Sequence, residues 1–447
     1  MTSWDGMVDR LRHFVPSALN TRGVVSLRYK GRASITSKPT VLVVTTRRWF
    51  SSARLGIALS QAGFTVEVIC PSRHPVKTTS IVRRVHPYNG LAPLTSLLEA
   101  ITAAKPDLII PSDDLAARQL HDLHSTQLRR GKAGSSVCAL IERSLGSSDS
   151  FSVVYERAAV LKLAREEGIR VPDSEVIVET SDLDGWIERT GLPVVLKSNG
   201  TSGGEGVRIV HTLEDARRAF QALKAPPGFI RAVKRALADQ DLTLISPMLL
   251  RRRGVVSAQT FIAGRDATSL VACCKGVILA GLHFEVINKQ DSTGPASVLR
   301  IVENPEMSHA AEKIVHRLNL SGLHGLDFLL EAETGNAYLI ELNPRTTQVG
   351  HLRLGPGRDL PAALYAAVSR NVIQETPAVT QNKTITLFPQ EWTRNPESPF
   401  LLSGYHDIPW EEPELVRACL RRPWKWRAWS FQQKWAEAFS TLRRLRL

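Results

Sequence analysis

Residues 321–345 read SGLHGLDFLLEAETGNAYLIELNPR, and the architecture follows from how this stretch folds. LDFLLE alternates and is rich in apolar residues, Thr334-Gly335-Asn336 supplies turn chemistry, and AYLIEL is a return strand. Residues two apart on a strand share a face, so Glu341 and Asn343 converge, and a hairpin register brings Asp327 to join them. Two carboxylates and an amide oxygen make a hard oxygen set suited to Mg²⁺, which keeps waters and shares substrate phosphates. An edge hairpin with solvated polar residues is the alternative. Arg345, fixed behind Pro344, weighs against it, because a guanidinium beside a metal pair suits a phosphoryl or acyl-phosphate centre.

The segment HGLDFLLEAETGNAYLIELNPR resembles the metal-binding end of ATP-grasp enzymes, the superfamily of carbamoyl phosphate synthetase, biotin carboxylase and D-alanine–D-alanine ligase. The resemblance implies Asp327, Glu341 and Asn343 as ligands of Mg²⁺ (or Mn²⁺). It implies Arg345 as the arginine that stabilises a phosphorylated intermediate.

Outside this hairpin the chain is ordinary for a soluble protein, with 43% hydrophobic and 22% charged residues, which excludes wholesale disorder and a membrane bundle. Its 447 residues suffice for two or three domains. Five cysteines at 70, 138, 273, 274 and 419 show no metal-ligand spacing and suit a reducing cytoplasm. The net charge of +14 is concentrated at the ends. Residues 1–38 carry seven Lys/Arg against two Asp, and residues 413–447 nine against two Glu. No nucleic-acid recognition motif is present, so two basic ends on a near-neutral body point to peripheral attachment.

Residues 1–38 read as a basic N-terminal arm. From Pro39 the pattern becomes strand and helix in alternation: TVLVV (40–44), a helix over 51–62 capped by Gly63, FTVEVIC (64–70), a helix over 94–105, and DLIIP (107–111). This predicts a parallel, Rossmann-like layer over 39–150. It lacks G-x-G-x-x-G after the first strand, which argues against a dehydrogenase. Asp113 and Asp114 follow the third strand, where such sheets place ligands; a helix N-cap is the competing reading.

A helix over 156–168 opens the next unit, and the resemblance places its Arg157 on the ATP phosphates. LPVVLKSNGTSGGEGVRIV (192–210) is a strand, a glycine-rich loop and a second strand. Glycines let backbone N–H groups approach phosphate oxygens, and Lys197 supplies a point charge before the loop. No Gly-Lys-Ser/Thr follows, so this is not a Walker A loop. It resembles the ATP-grasp loop that closes over the nucleotide, which implies Ser202, Gly203, Gly204 and Gly206 beside it. Residues 259–266 (QTFIAGRD) resemble the superfamily's adenine edge, implying Gln259, Phe261 and Ile262 near the base and Asp266 on the ribose side or in a turn. Residues 284–307 read as a long connection over the acceptor, from which Arg300 would bind a carboxylate or the γ-phosphate and Lys289 is a weaker candidate. His351 either faces the acceptor or is a satisfied structural histidine.

The tail 413–447 mixes Trp424, Trp426, Trp429 and Trp435 with Arg and Lys. Three readings stay open: a packed C-terminal helix, an anchor on an anionic membrane surface, or a dock for an acidic carrier protein.

The expected fold is therefore α/β: a Rossmann-like pre-ATP-grasp domain (39–150), a two-lobed α+β ATP-grasp domain (151–375), and a basic helical C-terminal extension (376–447). The resemblance implies a cytoplasmic ADP-forming ligase, free or peripheral at the membrane. Such an enzyme activates a small carboxylate as an acyl phosphate and joins it to an amine or thiol; homodimers are common among similar enzymes. Carboxyphosphate formation from bicarbonate is a close variant, and a tethered ATP-binding module with little turnover is the alternative of another class.

Overall fold

The computed structural model describes residues 38–198, 206–229, 232–233, 236, 244–251, 254–291, 294–371 and 376–421. The first unit is a four-stranded sheet in the order β3-β2-β1-β4, from β1 (Thr40–Val44), β2 (Thr65–Cys70), β3 (Val82–Pro87) and β4 (Leu108–Pro111). Every pairing in it is parallel. Helices α1 (Ser51–Ala62), α2 (Pro93–Ala104), α3 (Asp114–Leu128) and α4 (Ser135–Leu145) complete the unit. A parallel sheet is covered on both faces, so its central strands read as unbroken apolar runs. Val41 and Val43 of β1 enter one core, while Leu42 and Val44 enter another. The sequence missed β3 because VRRVHP has no such run. It lies at the sheet's edge, where Arg83 Nε and His86 Nε2 bond the buried Glu67 carboxylate at 2.9 and 2.7 Å.

After α5 (Arg157–Glu166) comes a small antiparallel sheet in the order β5-β8-β6-β7. Its strands are β5 (Ser174–Ile177), β6 (Val194–Ser198), β7 (Val207–Val210) and β8 (Val256–Thr260). Helices α6 (Thr180–Thr190) and α7 (Leu213–Lys224) cover one face over Leu196, Val210 and Ala258. The alternate residues Val195, Lys197, Ile209 and Gln259 occupy the other face.

The third sheet has seven strands, ordered β13-β12-β9-β10-β11-β14-β15. They are β9 (Gly264–Cys274), β10 (Val277–Lys289), β11 (Ala296–Ile301), β12 (Gly322–Glu331), β13 (Ala337–Asn343), β14 (Thr384–Leu387) and β15 (Tyr405–Asp407). On one face Leu270, Leu282, Phe284 and Leu323 share a core with Val41, Leu55 and Val66 of the first unit. On the other, Val271, Leu326, Phe328 and Leu342 pack with α5 and α8 (Pro305–Arg317) through Leu161, Ile314 and Val315. Each buried Leu or Phe of this kind contributes about 1.5–3 kcal/mol.

Two expectations are corrected here. Residues 284–307 do not form a long connection. Phe284 to Lys289 continue β10, and β11 pairs back on it antiparallel. Nor do residues 376–421 stand apart as a helical extension: β14 pairs with β11, and β15 runs parallel beside β14. Leu415, Val416 and Cys419 of α10 (Pro413–Arg421), which follows α9 (Leu360–Ser369) and two short helical turns, are buried in the core shared with the first unit. Glu412 accepts hydrogen bonds from Ser80 N and Oγ at 3.1 and 2.7 Å. The basic arm up to residue 37 and the four tail tryptophans lie outside the described residues. Among the described residues no helix is long and apolar enough to cross a membrane.

Candidate active site

The β12–β13 hairpin sets the first side of the site. Asp327 stands directly opposite Glu341, and Gly325 opposite Asn343; the register then slips, leaving Ile340 without a partner. Glu341, Asp327 and Asn343 thus share the face that meets the first unit. Asn343 Nδ2 donates to Asp327 Oδ2 at 2.9 Å, and Thr268 Oγ1 to Asp327 Oδ1 at 2.9 Å. A Cβ at position 325 would fall 2.5 Å from Thr347 Cγ2 and 3.3 Å from Asn343 Cβ, so a glycine is required for this approach. Burial, and then the neighbouring Glu341 charge, push the Asp327 carboxyl up to about 6, against the hydrogen bonds from Thr268 and Asn343.

Cations arrive from two other elements. Arg157, the first residue of α5, donates from Nη2 to Glu341 Oε1 at 2.8 Å. Lys197 projects from the open face of the small sheet and is 7% exposed. Burial, and then the charge of Arg157, lower its pKa to about 8, against the pull of Glu341, Asp327 and Asp266. Its ammonium has no hydrogen-bond partner among the described residues. The carboxylates of one sheet and the lysine of another therefore face each other across a cleft.

Around that cleft, Gln259 is buried on β8 opposite Val195, while Ile209 on the same sheet face is 52% exposed. Phe261 and Ile262 lie on the crossing from β8 to β9, partly exposed. Asp266 accepts from Lys289 Nζ at 2.6 Å. Gly206 closes the base of the glycine loop by accepting from Ser198 N at 2.8 Å. Ser202, Gly203 and Gly204 lie outside the described residues.

Arg345 reaches into the first unit. Its Nε donates to Asp114 Oδ1 at 2.7 Å and its Nη2 to Asp114 Oδ2 at 3.2 Å, while Nη2 also approaches Asn343 Oδ1 at 3.3 Å. Asp113 is the N-cap of α3, accepting from Ala116 N at 2.9 Å. The two neighbouring aspartates thus divide the two readings: Asp113 caps, and Asp114 holds the arginine. Sequence reasoning missed that pairing, and its only local sign was the position after β4.

Two candidates are not brought to this face. Arg300 pairs across to Glu285, and Glu285 to Ala267, one residue out of step with the row Ile301–Phe284–Thr268–Asp327. Side chains alternate, so Arg300 lies on the opposite face, 3.6 Å from Glu285. His351 is the satisfied histidine: its Nε2 lies 2.6 Å from Asp407, which also binds Arg54, and all three side chains are buried.

The family described as carbamoyl-phosphate synthase L chain, ATP binding domain, matches residues 156–352, from the residue before Arg157 to the one after His351. Residues 156–352 form an ATP-grasp domain. Acetyl-CoA carboxylase 1 of Arabidopsis thaliana is 28% identical to this chain over 165 residues, which are 36% of the chain and 6% of that protein. The arginine-specific carbamoyl phosphate synthase large chain of Geobacillus stearothermophilus is 23% identical over 190 residues, 42% of this chain and 16% of that one. The chain thus spans well under a quarter of these relatives.

Structural likeness extends beyond the ATP-grasp domain. N5-carboxyaminoimidazole synthetase from Staphylococcus aureus, solved with ADP, superposes at a TM-score of 0.52 with 14% identity, covering 75% of this chain and 78% of that one. The biotin carboxylase domain of Hydrogenobacter thermophilus 2-oxoglutarate carboxylase, solved with MgADP, ADP and bicarbonate, gives 0.54 with 14% identity, covering 76% and 72%. At such identities the likeness establishes the fold.

Proposed function

We propose that the chain is an ADP-forming ATP-grasp ligase with its nucleotide in the cleft between the small sheet and the seven-stranded sheet. What supports this most is the convergence of Lys197 and Arg157 on the Asp327–Glu341 pair from separate elements. Among the described residues no three His, Cys, Asp or Glu side chains cluster as a metal cage. A pair of carboxylates with one amide instead fits Mg²⁺ (or Mn²⁺), which takes its remaining ligands from water and phosphate. Burial, and then the Glu341 charge beside it, raise the Asp327 pKa, and a cation bound at the pair would favour the ionised form. Asp327, Glu341 and Asn343 would hold the ion, which when bound neutralises phosphate oxygens.

Lys197 and Arg157, with the glycine loop, orient the phosphates of ATP, and the exposed Ile209 with Val195 and Gln259 offers a surface for its base. A substrate carboxylate oxygen attacks the γ-phosphorus and ADP leaves. An amine (or thiol) then attacks the acyl carbon and expels phosphate. Arg345 stabilises charge on the transferred group, and no side chain serves as nucleophile; orientation and charge neutralisation carry the rate.

A carboxylate oxygen must end in the released phosphate. Turnover with a pool of ¹⁸O-labelled small carboxylates and amines is expected to place one ¹⁸O in each phosphate formed. Unlabelled phosphate would overturn the acyl-phosphate route. Carboxyphosphate chemistry is the second reading, favoured by the bicarbonate in the structure of the 2-oxoglutarate carboxylase domain. Label arriving from bicarbonate alone would select it.

A further inference from the structure

The strand pairings line up one row of side chains on the face of the seven-stranded sheet that carries Asp327. Glu341 on β13 stands opposite Asp327 on β12, and Asp327 opposite Thr268 on β9. Thr268 in turn stands opposite Phe284 on β10, and Phe284 opposite Ile301 on β11. The row begins with two carboxylates, passes through one hydroxyl and ends in two apolar residues. Thr268 is where it changes character. Phe284, and Leu270 two residues on along β9, are buried in the core shared with the first unit. Packing here would be served equally by valine, which has the shape of threonine and the same preference for a pleated strand.

The hydroxyl is committed to the carboxylate. Thr268 Oγ1 donates to Asp327 Oδ1 at 2.9 Å, and among the described residues this is its one hydrogen bond. Asn343 Nδ2 donates to the other oxygen, Oδ2, also at 2.9 Å. The strand order β13-β12-β9 puts Asn343 and Thr268 on opposite flanks of Asp327, so the carboxylate is held from both sides. A β-branched side chain has few χ1 choices, which fixes the direction of the Thr268 bond. Each Asp327 oxygen accepts one of these bonds and keeps a second lone pair for a cation. The effect passes on to Asn343. With its Nδ2 committed to Asp327, its Oδ1 is the atom left to face a cation, and Arg345 Nη2 approaches that oxygen at 3.3 Å. Thr268 thus begins a chain of hydrogen bonds that runs through Asp327, Asn343 and Arg345 to Asp114.

We propose that Thr268 is a positioning residue of the metal site: its hydroxyl fixes the Asp327 carboxylate, and through it the Asn343 amide, in the orientation that receives Mg²⁺ (or Mn²⁺). Thr268 acts through Asp327 and does not ligate the ion itself. This rests on the reading of Asp327, Glu341 and Asn343 as metal ligands, and adds a fourth residue from a strand outside their hairpin. Groups that orient metal ligands are commonly worth about 10- to 100-fold in metal affinity.

The test titrates Mn²⁺ into the full chain with a fluorescent ATP analogue and reads the Mn²⁺ concentration at half-maximal binding. A parallel titration of the analogue in EDTA reads the affinity without metal. Thr268→Val should raise the Mn²⁺ half-point about tenfold or more and leave the EDTA affinity within about twofold of wild type. Thr268→Ser, which keeps the hydroxyl, should recover most of the loss. A packing role predicts the reverse: valine harmless, serine damaging, and both conditions affected alike. An unchanged Mn²⁺ half-point in Thr268→Val, or an equal loss of affinity in EDTA, would overturn the inference. Wild-type binding that ignores Mn²⁺ would overturn the metal reading and the inference with it. The expected Thr268 responses in a chain that turns over no ATP would uphold the inference and sink the ligase reading.

Discussion

Asp114 and Arg345 lie 231 residues apart and are joined by two hydrogen bonds, one to each carboxylate oxygen. The pair ties the first unit to the end of the hairpin that carries Asp327, Glu341 and Asn343. A fork-shaped guanidinium held at two points has one orientation. Asp114 therefore positions Arg345 without touching the reacting groups itself.

Asp114→Asn should lower turnover about 10²-fold, the scale of a misplaced catalytic group. Nucleotide affinity should stay within twofold, and Asp114→Glu should recover part of the loss. Thermal stability should fall by about 1–2 kcal/mol, less than for a fully buried pair because the Asp114 side chain is 41% exposed. Loss of nucleotide binding in parallel with turnover would show a general structural role instead.

Lys197 is buried in the cleft with no described hydrogen-bond partner, so its charge is available to phosphate oxygens. Lys197→Met should weaken nucleotide binding 10- to 100-fold, from the loss of about 1.5–3 kcal/mol of charge-assisted hydrogen bonding. Lys197→Arg should not restore it, because a planar fork cannot occupy the space of a compact ammonium. Fluorescence titration with a labelled ATP analogue reads both variants.

The pH dependence follows from two groups shifted toward each other. Asp327 is raised to about 6, so its charge is lost as pH falls through that value. Lys197 is lowered to about 8, so its charge is lost as pH rises through that one. The kcat/KM profile, which reports the free enzyme, should be a bell rising near pH 6 and falling near pH 8. Asp327→Asn should abolish the acid limb at any residual rate, and a profile flat from pH 5 to 9 would contradict the assignment.

Arg300 supplies a test of the sheet register. Arg300→Ala should leave kcat/KM within twofold, since its side chain lies with Glu285 on the face away from Asp327. A hundredfold loss would mean that the segment reorganises when substrate binds.

What the sequence revealed and what it hid have physical reasons. The hairpin was legible because alternation and a Thr-Gly-Asn turn are local signals, and β1 and α1 because their apolar runs match their periods. The short β14 and β15 were not, since TITL and YHD owe their strand state to pairing with β11 and with each other. Arg300 was misplaced because a single step of register moves a side chain to the other face, and only the paired strands fix that step. Glu341 with Asn343 could be read from two-residue spacing. Asp114 with Arg345 could not, because no local pattern records a partner 231 residues away.

The most direct measurement is Mg²⁺-dependent nucleotide turnover by the full chain in a pool of amino acids and small carboxylates, resolving ADP from AMP, with Glu341→Ala run alongside. ADP and phosphate release that requires the pool and vanishes in Glu341→Ala is the expected result. AMP and pyrophosphate release, or ADP release unchanged in Glu341→Ala, would contradict an acyl-phosphate ligase built on the Asp327–Glu341 pair.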